Sequence, residues 1–189
     1  MTEIKIEKKK SAWPWILLGL GIIALLIYLL GFSDRKEKEA DTAELISVNE
    51  NNSTVAAFVS FTEDDKNKMG FDHAYTNEAL LKLTDATGAM AGEIGYDVRA
   101  DLDKVKEYAN NITKDPFETT HADNIRKAAD ILTNVLQNMQ QAKYPQLSNE
   151  VAELRNASAS INPDVLTLDQ KDAVKSFFYK AADLLRKMN

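Results

Sequence analysis

His73 and His121 are the only imidazoles in this 189-residue chain, which also has no cysteine. Any chemistry that needs an imidazole, as metal ligand or as general base, must therefore run through these two rings. Glu118-Thr119-Thr120-His121 has the Glu-x-x-His spacing that sets a carboxylate and an imidazole on one helical face in di-iron bundles. Such a centre needs a second Glu-x-x-His and two more glutamates. The residue three before His73 is Gly70, and no glutamate interrupts the apolar stripes of the chain. Glu118 and His121 then read as residues of a helix start, serving charge complementarity and capping. In GFDHAYTNE, Asp72-His73 with Tyr75 is a second candidate: the loop-borne Phe71, His73 and Tyr75 can line a ligand pocket, although such residues more commonly plug the end of a bundle. The seven glycines build neither G-x-G-x-x-G nor a P-loop, and no serine lies in G-x-S-x-G, so nucleotide and triad chemistry have no visible seat. Met69, Met90, Met139 and Met188 are scattered as core fillers. The expectation is a non-enzymatic protein with no catalytic, cofactor-binding or metal residues and no cofactor.

The elements that must position the histidines read as helix after helix, because apolar residues recur at three and four rather than at two. Asn52 or Ser53 caps a first helix with Val55, Phe58, Val59 and Thr62 inward. A second, from about Asn77, carries Leu80, Leu83, Thr87, Met90 and Ile94, with Gly95 as its stop. A third starts at Asp97, buries Val98, Leu102, Val105, Ala109 and Ile112, and breaks at Lys114-Asp115-Pro116. The fourth opens on the capping pattern Thr120-His121-Ala122-Asp123 and runs to Lys143, with Ile125, Ala128, Leu132, Val135, Met139 and Ala142 inward. A shorter fifth offers Leu147, Val151, Leu154 and Ile161. After Pro163 the last helix opens on the capping box Thr167-Leu168-Asp169-Gln170 and buries Val174, Phe177, Phe178, Ala181, Leu184 or Leu185, and Met188. Short loops make consecutive helices antiparallel, so the expected fold is all-α: an N-terminal single transmembrane helix followed by an up-down bundle of five to six helices. Gly88 and Gly92 inside the second helix mark either a close helix contact or a bend.

Upstream of the bundle the composition changes. Residues 12–32, AWPWILLGLGIIALLIYLLGF, hold no ionisable side chain other than the Tyr28 phenol and are apolar around the whole circumference. At about 1.5 Å per residue they span roughly 31 Å, the hydrocarbon thickness of a bilayer. Lys5, Lys8, Lys9 and Lys10 precede this span, whereas Arg35, Lys36 and Lys38 follow it among carboxylates, which favours a cytoplasmic N-terminus. Trp13 and Trp15 suit the inner interface. The run is too long for a cleaved signal peptide, and Leu29, Gly31 and Ser33 make a poor cleavage site, so an uncleaved signal anchor is expected. The divisions are a cytoplasmic tail at 1–11, a transmembrane anchor at 12–32, a polar neck at 33–52 and a helical domain at 53–189. Of 23 basic and 29 acidic residues, four and two lie in the first 32, leaving 19 and 27 for the remainder. That acidic balance, with lysine and arginine alternating with carboxylates, disfavours nucleic-acid binding.

The lysine-rich tail followed by SAWPWILLGLGIIALLIYLL resembles the N-terminal anchors of bacterial envelope proteins, and DPFETTHADNIRKAADIL is similar to segments of uncharacterised helical, membrane-anchored envelope proteins. The resemblance brings no activity and no functional residues with it; the apolar length and the lysine bias point to a place at the cytoplasmic membrane with the C-terminal domain extracytoplasmic. Two classes of function follow. One is an interaction or scaffold module, held by lipid contact through residues 12–32 against a protein partner in the envelope. The other is a ligand or metal sensor, or a small enzyme, using the His73 or His121 neighbourhood.

Overall fold

The computed structural model describes residues 53–64, 66–71, 73–115 and 118–189, within a compact unit extending from Ser47 to Asn189. The expected tail, anchor and neck lie outside the described residues. Among those described there is no strand, and no helix is long and apolar enough to cross a membrane. The architecture is an all-α bundle: α1 covers residues 53–63, α2 Ala74–Glu93, α3 Arg99–Asn111, α4 His121–Lys143, α5 Ser148–Ala159 and α6 Lys171–Met188. Short 3-10 turns at Pro145–Leu147 and Thr167–Gln170 lead into α5 and α6.

Each apolar stripe closes on its neighbours. α2 packs on α3, α4 and α6, while α3 meets α4, α4 meets α5 and α5 meets α6. Phe58, Leu80, Leu83, Met90, Ile125, Leu132, Leu154, Phe177 and Phe178 are fully buried, and the four methionines are buried among them. An aromatic series joins three elements: Phe61 of α1 stacks on Tyr75 of α2 at 5.3 Å, Tyr75 meets the edge of Phe178 at 6.2 Å, and Phe178 meets Phe177 at 5.5 Å. The α1–α6 approach also pairs Glu63 with Arg186.

The ends of the helices show where local rules hold and where side chains find better partners. Gly95 follows α2 with φ +66°; its N–H donates to Gly92 O (3.1 Å) and the Tyr96 N–H to Ala91 O (2.9 Å), the paired bonds of a Schellman stop. Gly88 marks a close contact, since a Cβ there would lie 3.1 Å from Leu102 Cδ1 of α3, whereas a Cβ at Gly92 meets nothing within 4 Å. α2 begins at Ala74 rather than Asn77, and the Asn77 amide is used otherwise: its Nδ2 donates to Ala109 O (2.7 Å), a carbonyl in the last turn of α3. α4 has the expected bounds, but the Thr120 hydroxyl donates to Glu118 Oε1 (2.7 Å) instead of capping. Ala142 is exposed, and Gln140 is buried in its stead, its amide donating to Tyr144 O and Pro145 O where α4 gives way to the next turn. The capping box at Thr167 does not form either. Gln170 reaches back across the α5–α6 connection, donating to Asn162 O and Val165 O (2.7 Å each) and accepting from Asn162 N–H (2.8 Å). Arg126 of α4 secures the same connection: Nη1 donates to Ala159 O and Ile161 O (3.1 Å each), Nε binds Asp130 (2.9 Å), and Ser158 Oγ donates to Asp130 (2.7 Å).

Candidate functional site

The connections ahead of α2, α4 and α6 meet at one end of the bundle, where Phe71, His73, Glu118, Thr119, His121, Ala122, Leu166, Thr167 and Leu168 line a cavity of about 270 Å³. The up-down order brings this about: alternate helices of a bundle run the same way, so α2, α4 and α6 present their N-termini together. The two histidines, 48 residues apart in sequence, are thereby in contact, with ring centroids 4.4 Å apart and planes at 48°.

Each imidazole is placed by backbone. His73 immediately precedes α2 in the left-handed region (φ 55°, ψ 12°), its N–H donating to Gly70 O and its carbonyl accepting from Asn77 N–H. A non-glycine residue there costs about 1–2 kcal/mol relative to the right-handed conformation. His121 is the first residue of α4, buried at 4 % exposure, and its Nε2 lies 2.7 Å from Asp115 O. A carbonyl only accepts, so Nε2 carries the proton, and Nδ1 of the neutral ring presents a lone pair. That Nδ1 is buried and has no hydrogen-bond partner among the described residues. Thr167 Oγ1, in a side chain also 4 % exposed, is likewise buried without one. An unsatisfied buried polar atom costs about 1–3 kcal/mol. Both residues line the one cavity, and neither polar atom is itself exposed.

Most of the remaining wall is apolar. Phe71 and Leu166, 53 % and 59 % exposed, flank the cavity, with Ala122 and Leu168 deeper. The charged member is Glu118, whose carboxylate accepts from Thr120. Among the described residues there is no group of three histidine, cysteine, aspartate or glutamate side chains disposed to hold a metal ion. The chemistry on offer is hydrogen bonding beside an apolar surface.

Of the residues singled out from sequence, His73, His121, Glu118 and Phe71 come together, while Asp72 lies outside the described residues. Tyr75 does not join them. It packs in the core between Phe61 and Phe178, where burial, with a smaller contribution from Tyr179, pushes its phenol up to about 12. Thr167 and Asp115 were not anticipated as site residues. Thr167 was legible as a member of the N-terminal end that an up-down bundle shares among α2, α4 and α6; for Asp115, whose role is through its main-chain oxygen, the side-chain pattern holds no signal. No known family, curated protein or solved structure matches this chain.

Proposed function

We propose that this protein is a non-enzymatic, membrane-tethered binding module: residues 12–32 anchor it as a single-pass helix with the N-terminus cytoplasmic, and the bundle works at the outer face of the membrane through the cavity at its His73–His121 end. The observation that carries the reading is a mostly apolar cavity lined by His121 and Thr167, whose Nδ1 and Oγ1 are buried without a hydrogen-bond partner among the described residues. Among the described residues Thr76, Thr87 and Thr133 also have unpaired buried hydroxyls, but at this end of the bundle an imidazole and a hydroxyl share one cavity, where a guest can satisfy them. A binding role needs no more than this, whereas catalysis would also need a nucleophile within reach of the imidazole and a group to stabilise the charge that develops. The apolar length of residues 12–32 and the lysines ahead of them support the anchor and its direction.

The absence of cysteine makes the test clean. Leu166→Cys, at the cavity mouth, and Ala100→Cys, on an exposed position of α3, are each labelled in intact cells with a membrane-impermeant maleimide. Both sites label from outside under this reading, and Leu166→Cys labels more slowly in native membranes than after purification while Ala100→Cys does not change. Absence of labelling until the cells are permeabilised refutes the orientation. Equal rates at Leu166→Cys before and after purification refute use of the cavity.

A further inference from the structure

We propose that the cavity receives a small neutral molecule carrying a hydroxyl on an apolar ring-sized body, a phenol or an alicyclic alcohol; this rests on the reading of the cavity as the binding site. Size sets the body. About 270 Å³ is nearly twice the roughly 150 Å³ of an apolar cavity that accepts benzene. Phe71, Ala122 and Leu168 supply walls for such a ring, and Leu166 stands at the mouth.

The polar head follows from what is unsatisfied. With Nε2–H committed to Asp115 O, neutral His121 offers a lone pair at Nδ1 and needs a donor; Thr167 Oγ1 can donate or accept. A hydroxyl complements either atom, donating its proton to Nδ1 or pairing with the Thr167 hydroxyl, once the buried group turns toward the cavity to meet it. A hydrocarbon would leave both atoms unsatisfied. Charged heads fit worse. The N-terminal ends of α2 and α4 reach the cavity as His73 and His121, and their positive dipole ends oppose an ammonium. Against a carboxylate or phosphate stand the Glu118 carboxylate on the wall and the lack of lysine or arginine among the described lining residues.

The chain's two histidines give the readout, because only two imidazoles contribute to a ¹⁵N-histidine spectrum. The full chain, in lipid nanodiscs at neutral pH, is titrated with p-cresol, with p-xylene as the same shape without the hydroxyl, with p-toluate as the anion, and with Zn²⁺. The expected result is that p-cresol binds most tightly and moves His121 Nδ1 in the direction of an accepted hydrogen bond. Thr167→Val, which replaces the unsatisfied hydroxyl by a methyl, then weakens p-cresol by about three- to tenfold and leaves p-xylene unchanged. Leu166→Glu weakens both. If p-xylene perturbs the two imidazoles as strongly as p-cresol at equal concentration, the hydroxyl selectivity is wrong while the cavity remains a binding site. If p-toluate or Zn²⁺ is the tighter probe at these rings, the neutral-ligand inference is overturned in favour of an anion or a metal. If no probe moves either imidazole, both the inference and the cavity reading fail.

Discussion

Replacing Gly92 and Gly88 by alanine, one turn apart on α2, tests the packing of α2 on α3 with a single chemical change. At Gly92 a new Cβ meets nothing within 4 Å, so the substitution acts on the backbone alone. Alanine is favoured over glycine by about 0.8–1.0 kcal/mol in a helix interior; Gly92 lies in the last turn of α2, so a gain of about 0.5–1 kcal/mol is expected. At Gly88 the same backbone gain meets Leu102 Cδ1 at 3.1 Å, closer than ordinary van der Waals contact, and Leu102 must move by a few tenths of an ångström in a packed interface. Overpacking of this kind costs about 1–3 kcal/mol, which cancels or exceeds the gain. Gly88→Ala should therefore be less stable than Gly92→Ala by at least about 1 kcal/mol, a difference of about 3–5 °C in Tm for a domain of this size. Urea unfolding of residues 41–189, followed by helical circular dichroism, reads it from the midpoints at constant m. Shortening the neighbour isolates the cause: with Leu102→Ala in the background, the two alanine substitutions should become equally stabilising. Equal stabilisation in the presence of Leu102 would refute the close α2–α3 approach.

Phe177→Ala should cost about 3–5 kcal/mol in the same assay, because the ring is fully buried against Phe178; a loss below about 1 kcal/mol would mean that α6 turns another face inward. Burial keeps the Tyr75 phenol protonated up to about 12 in the fold, while the unfolded chain ionises near 10. Its contribution to stability is thus whole below about pH 10 and is lost as pH rises toward 12, so urea midpoints should fall more steeply over that range for the wild type than for Tyr75→Phe, and parallel slopes would contradict the assignment. His121→Phe keeps a ring against His73, loses the bond to Asp115 O and removes the unsatisfied Nδ1; these nearly cancel, so stability should stay within about 1 kcal/mol, and a loss above about 2 kcal/mol would show that Nδ1 is not unsatisfied.

Much of this fold was legible because burial on a helix repeats with the chain. Spacing alone points to Val98, Leu102, Val105, Ala109 and Ile112, and all are buried; Gly95 suits a helix stop and has the positive φ that a stop needs. Reading failed where a polar side chain had a choice of partners. Thr120 and Thr167 stand at helix starts with capping sequences, yet Glu118 accepts the proton of one and Gln170 turns back to Asn162 and Val165 rather than completing a box with the other. Those choices depend on where the adjoining loops lie, which local sequence does not encode. Gln140 was missed for a related reason: periodicity places Ala142 inward, but the stripe ends where the backbone bends into Pro145–Leu147. The meeting of His73 and His121 is a tertiary fact. Neither flanking sequence contains it, and only the parity of helix directions in a bundle points to it.

The clamp of Arg126 and Gln170 on the connection between α5 and α6 bears on how tightly the cavity can hold a guest. Leu166, Thr167 and Leu168 form one of its walls, and that wall directly follows carbonyls fixed from two sides, Ala159 and Ile161 by the guanidinium, Asn162 and Val165 by the amide. A recognition surface on an untethered loop must freeze its rotamers and backbone at the moment of capture, and that entropy is subtracted from every contact made. Here the ordering is completed during folding. The cavity is a mould rather than a mitten: its selectivity is for shape and for the position of one proton, and loosening the clamp far from any guest would surface as faster escape rather than as a lost contact.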